Sequence, residues 1–98
     1  MQHKSWMFLS NHGLVFAYVA KHPKSTAEEI ARRTNLSLRA VQAMLSDFEK
    51  GGYLEKQREG RCNRYIIHPE LPLRHRLVRN HSVGELLRAV GSDAARRP

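Results

Sequence analysis

Arg39 and Gln42 stand three residues apart in the run Ser37-Leu38-Arg39-Ala40-Val41-Gln42, a spacing that puts both side chains on one face of a helix. A guanidinium can pair with O6 and N7 of guanine, and a carboxamide with N6 and N7 of adenine, each through two parallel hydrogen bonds. Ordinary surface polarity would explain the same residue types. Base contact is favoured because Ser37 can cap this helix, which sets Arg39 and Gln42 in its first turns with Val41, Met44, Leu45 and Phe48 as an apolar stripe behind them. Leu38 can touch a thymine methyl or pack on a neighbouring element. Ser37 has a secure role as cap, and a phosphate contact is a second one.

The densest basic cluster follows directly: Lys56, Arg58, Arg61 and Arg64 against Glu55 and Glu59. A charge run is usually a solvated face. Its place beside a reading helix favours contact with phosphates or a minor groove, with Arg58 and Arg61 foremost. Arg74, Arg76 and Arg79 would extend the basic surface. The chain as a whole carries a formal charge of +8 with a pI near 10.4, which suits a polyanionic partner through counterion release.

Other chemistries find less support. His3, His12, His22, His68, His75 and His81 show no close ligand spacing and Cys62 is the one cysteine, so neither a metal nor another cofactor is expected. Arg61 and Arg64 would favour a Cys62 thiolate, but a lone half-buried cysteine is more often inert. No Ser/His/Asp grouping, phosphate-binding glycine loop or pair of carboxylates stands out, so an enzyme is not expected. A single cysteine excludes an intramolecular disulfide and fits a reducing compartment. The apolar run from Leu14 to Ala20 is far short of a bilayer span, and Trp6-Met7-Phe8-Leu9 lacks the build of a signal peptide. The expected place is the cytoplasm, without membrane contact.

The elements that must position these residues can be read from caps and periodicity. The 98 residues suffice for one domain, taken as 1–91, with a disordered basic tail at 92–98. Asn11 can cap a first helix to about His22, with Leu14, Val15, Tyr18 and Val19 at core spacing and Phe16 off the stripe. Thr26 and Glu29 form a capping box, and Asn35 stops that helix. Leu36 plugs the turn. Ser37 opens the third helix, and Gly51-Gly52 ends it.

Residues 53–57 and 62–67 read as strands around an Arg58-Glu59-Gly60-Arg61 turn. Asn63, Tyr65 and Ile67 should form the packed face, with Cys62, Arg64 and Ile66 on the other. An irregular connector at 69–80 leads to a second capping box, Ser82 with Glu85, and a short helix carrying Leu86, Leu87 and Val90 up to Gly91. The expected class is mainly α with a small β-hairpin (α+β), in the layout of a winged helix-turn-helix.

The ordered series Thr26-Ala27-Glu28-Glu29-Ile30-Ala31, Asn35-Leu36-Ser37, Val41 to Leu45, Glu49-Lys50-Gly51-Gly52-Tyr53-Leu54 and Gly60 to Tyr65 resembles the winged helix-turn-helix transcriptional regulators of the MarR and ArsR superfamily. The resemblance covers about half the chain. It implies that the 37–50 helix lies in the major groove of double-stranded DNA, while the wing at 53–67 reaches backbone or minor groove. The exposed reading face it leaves is thin: Leu38, Arg39, Gln42 and Ser46, with alanine at 40 and 43 where such regulators often carry polar residues. The long terminal helices that enclose a ligand pocket in typical MarR dimers are absent from the pattern, so any small-molecule effector is unknown.

Two copies on a pseudo-palindrome would give useful specificity, which implies a homodimer. Trp6, Phe8, the first helix and the Leu86-Leu87-Val90 face can supply its interface or equally complete the monomer's own core. The alternative is a winged-helix module that binds a protein or RNA without reading DNA sequence.

Overall fold

Ser10, rather than Asn11, starts the first helix. Its hydroxyl accepts a hydrogen bond from the Gly13 amide at 3.1 Å, and α1 runs Asn11–Lys21. Serine and asparagine cap about equally well, so residue type alone did not choose between neighbours. The structure is a computed structural model that describes residues 6–91. His3 and the expected tail at 92–98 lie outside the described residues.

The next two helices start and stop as local chemistry dictates. Thr26 Oγ1 accepts from the Glu29 amide at 3.1 Å while Glu29 Oε1 accepts from the Thr26 amide at 2.8 Å, opening α2 (Ala27–Thr34). Asn35 then turns left-handed at φ 61°. Ser37 Oγ accepts from the Ala40 amide at 3.0 Å and opens α3 (Leu38–Gly51), which Gly52 closes at φ 83°. Leu36, between them, packs against the core.

The hairpin is longer than expected. Strands β1 (Leu54–Glu59) and β2 (Cys62–Ile67) pair antiparallel from Leu54 opposite Ile67 to Glu59 opposite Cys62. Only Gly60 and Arg61 remain in the loop. Gly60 adopts φ 60°, which permits a two-residue turn matched to the strand twist, so Arg58 and Glu59 belong to β1. The Tyr65 amide also donates to the Pro23 carbonyl at 2.9 Å, fastening β2 beside the α1–α2 connection.

One hydrophobic cluster joins the helices and the hairpin base: Val15, Phe16 and Val19 of α1, Ile30 and Ala31 of α2, Val41 and Leu45 of α3, with Tyr53, Leu54, Tyr65, Val83 and Leu87. Phe16 departs from expectation. It is 5% exposed, and its ring meets Phe48 edge-on at a centroid distance of 4.9 Å. α1 touches α2, α3 and β2, so it is covered over a wider arc than a single stripe.

The connector runs back along the start of α4 (Val83–Ala89): Val83 N–H donates to Leu71 O at 2.8 Å and Gly84 N–H to Pro69 O at 2.9 Å. Tyr53 Oη donates to the Pro72 carbonyl. Ser82 caps α4 as expected, but the Glu85 carboxylate turns chiefly to the His81 ring. Leu87 enters the core, and Leu86 and Val90 are half-buried. Trp6 and Phe8 stay outside it, 75% and 92% exposed.

Candidate nucleic-acid interface

Gln42, Ser46 and Glu49 follow one another at i, i+4 and i+7, so they form one stripe along α3. Lys56 sits opposite Tyr65 in the hairpin register, and Asn63 lies two residues before Tyr65, so these three share one face of the wing. The two faces meet across a groove of about 450 Å³, with Ala27 and Leu45 completing its lining. Its walls offer two carboxamides, two hydroxyls, one ammonium and one carboxylate. Burial, and then the nearby Glu49 charge, push the Tyr65 phenol above its ordinary value. It therefore stays protonated, able to donate, at neutral pH.

Ser37, Leu38 and Arg39 are exposed at the start of α3, one turn before Gln42 and not part of the groove lining. Arg61 is exposed in the loop. Arg58 lies opposite Asn63, near rather than in the turn, and its Nε donates to the Gly60 carbonyl at 3.0 Å.

Arg64 is on the other face with its cross-strand partner Gln57. It is half-buried, its guanidinium lies 3.5 Å from Glu59 Oε2, and its Nε is buried without a hydrogen-bond partner among the described residues. Lys24 reaches the same carboxylate at 3.3 Å. The Lys24 hydrogen bond and charge hold the Glu59 carboxyl below the usual carboxylate range, with Arg64 adding less. Arg64 is thus turned away from the groove that gathers Gln42, Ser46 and Lys56.

Two expectations about the hairpin faces need correction. Asn63 shares the Tyr65 face but is exposed, because the core covers the base of the hairpin and leaves its outer part free. Cys62 is exposed rather than half-buried, for the same reason. Asn63, Glu49 and Lys24 were not among the residues expected at the interface. The strand alternation from Tyr65 and the helical spacing from Gln42 carried the signal for the first two; Lys24 needed the tertiary fold.

Three histidines pair individually with carboxylates: His12 Nε2 lies 2.8 Å from Asp47, His68 Nε2 lies 3.1 Å from Glu55, and His81 meets Glu85. Among the described residues no three His, Cys, Asp or Glu side chains are grouped to share a metal ion. No helix among them is long and apolar enough to cross a membrane.

A comparison with curated proteins found no match. The family model that does match covers residues 9–61, from the end of the lead-in through α1, α2, α3 and β1 to the wing loop. With this span over half of the sequence and a two-stranded hairpin following the helix-turn-helix, the chain belongs to the MarR family, a family of winged-helix transcription regulators.

Proposed function

We propose that the protein is a sequence-specific, double-stranded DNA-binding regulator that works in the cytoplasm as a homodimer. The observation that carries this reading is the shared groove: Gln42 and Ser46 of α3 face Lys56 and Asn63 of the wing, so a base-reading helix and a phosphate-holding ribbon border one channel. Arg39 and Gln42 address base edges in the major groove, with Leu38 near a thymine methyl and Ser37 at a phosphate. Lys56, Arg58 and Arg61 hold backbone or minor groove. Arg64 contributes at longer range, since Glu59 already shares its charge.

Trp6 and Phe8, exposed and in edge-on contact at 4.9 Å, are the first surface a second copy would cover. The thin reading face, where Leu38 and Ala43 are exposed beside Gln42, favours the second reading, a module for protein or RNA. Selection of bound sequences from a randomised duplex pool at two salt concentrations, with the mass of the complex recorded, separates them. An enriched inverted repeat bound by two copies supports the regulator. Weak binding that enriches no motif contradicts it.

A further inference from the structure

The chain leaves the core at Leu73 and returns at His81, and this excursion is closed at its base. Leu73 N–H donates to His81 O at 2.8 Å beside the Pro72–Ser82 bridge. Inside it, Val78 N–H donates to His75 O at 2.9 Å, His81 N–H to Val78 O at 2.9 Å, and Leu77 N–H to His75 Nδ1 at 3.1 Å. A loop stitched in this way holds a definite shape. At its apex that shape keeps Leu77 78% exposed and Val78 39% exposed.

Arginines flank the apolar apex. Arg76 and Arg79 are exposed and make no ion pair among the described residues. Arg74 differs: it lies over the Tyr53 ring at 5.9 Å beside Gly51, where the carbonyl end of α3 favours a cation. From Leu71 to Gly84 the sequence has no Asp or Glu. The nearest carboxylates in sequence are Glu70, before the loop, and Glu85, held by His81. The apex is therefore apolar and rimmed by unpartnered positive charge.

The occupant follows from chemistry and position. A second copy meeting this loop apex to apex would set Arg76 and Arg79 against the same two arginines, so a homodimer uses another face. DNA offers oxygens to Arg76 and Arg79 but, apart from thymine methyls and unstacked base steps inside its grooves, no apolar seat for a leucine raised between them. At ~1.5 Å per helical residue and ~3.3 Å per strand residue, Gly51, beside which Arg74 lies, is roughly 20 Å from the Leu38 end of α3, and the base of β1 is about as far from the wing tip. We propose that Arg76 to Arg79 is a docking surface for an acidic segment of another protein, its carboxylates paired with Arg76 and Arg79 and one apolar side chain covering Leu77 and Val78. This proposal does not depend on how the α3–wing groove is used.

The test titrates the full-length, isotope-labelled protein with a short synthetic peptide of glutamates interrupted by leucines, an all-glutamate peptide, and a short DNA duplex, followed by amide shifts. The leucine-bearing peptide should bind more tightly than the all-glutamate one and move the amides of Leu73 to His81. Leu77→Ser and the double variant Arg76→Ser/Arg79→Ser should each weaken it by about fivefold or more, whereas Arg61→Ser should not. All these side chains are exposed, so the spectrum elsewhere reports an intact fold. Equal binding of both peptides, shifts spread over the wing and α3, or an unchanged Leu77→Ser variant would overturn the proposal. So would a double variant that loses duplex affinity while keeping the peptide, since the loop would then be a DNA contact.

Discussion

Gln42 of α3 and Lys56 of β1 line the same groove although the rest of α3 and the turn at Gly52 separate them in sequence. The left-handed glycine reverses the chain, and the buried Tyr53 and Leu54 then anchor the hairpin base against the helices. A carboxamide able to discriminate bases is thereby set across from an ammonium suited to phosphates. These two chemistries make different demands on sequence and on salt.

Arg39 and Arg61 should show that difference at the two ends of the proposed interface. Arg39→Ala should cost ~1–3 kcal/mol at the preferred site and relax discrimination at one base pair, while Arg61→Ala should weaken specific and random duplexes alike. Titration of both variants against both duplexes checks this. Equal losses for the two variants on both duplexes would refute the division.

Phe16 should be a stability residue. Truncating it to alanine removes a ring packed between Phe48 and Tyr53 and should destabilise the fold by about 3–5 kcal/mol. Urea unfolding followed by circular dichroism would read it as a lower midpoint with a similar slope. A change under ~1 kcal/mol would place the ring outside the core.

Gly84 allows α4 and the connector to touch. A Cβ there would stand 2.8 Å from the Pro69 carbonyl oxygen, closer than such atoms approach, so Gly84→Ala must part the connector from the helix. It should lower the melting temperature and speed exchange of the Val83 and Gly84 amides, which now donate to Leu71 and Pro69. Unchanged exchange would mean that the contact yields without cost.

Glu59 makes one pH-dependent contribution to the stability of the wing. Its folded pKa is lowered, first by the Lys24 hydrogen bond. The linked stability is therefore fully present above the unfolded carboxylate pKa and is lost as pH falls through the folded value. Lys24→Met should raise the Glu59 titration midpoint toward the ordinary range, with Arg64 retaining a part of the lowering. A carboxyl carbon titration by NMR reads this directly, and an unmoved midpoint would mean that the Lys24 pair does not form in solution.

The features legible in the sequence were those set within a few residues of themselves. The Thr26–Glu29 box, Asn35, Ser37 and Gly52 each act on a neighbouring amide or turn, and so they place the helix-turn-helix. Phe16 was not legible, because its burial depends on α3 and Tyr53 closing over α1. Arg64 looked like one more wing cation until its partner Glu59 joined the same strand face. Asn63 was assigned correctly to the face of Tyr65 but wrongly to packing, since alternation gives direction and only the fold gives cover.

The most direct measurement is binding of Gln42→Ala and Lys56→Ala to the selected duplex and to a scrambled one over a range of salt. Gln42→Ala should lose affinity on the selected duplex alone, with an unchanged salt slope. Lys56→Ala should lose on both duplexes, its slope shallower by about 0.9 for the one phosphate contact removed. If both variants lose equally on both duplexes, or neither loses on either, the groove between α3 and the wing is not where this protein reads DNA.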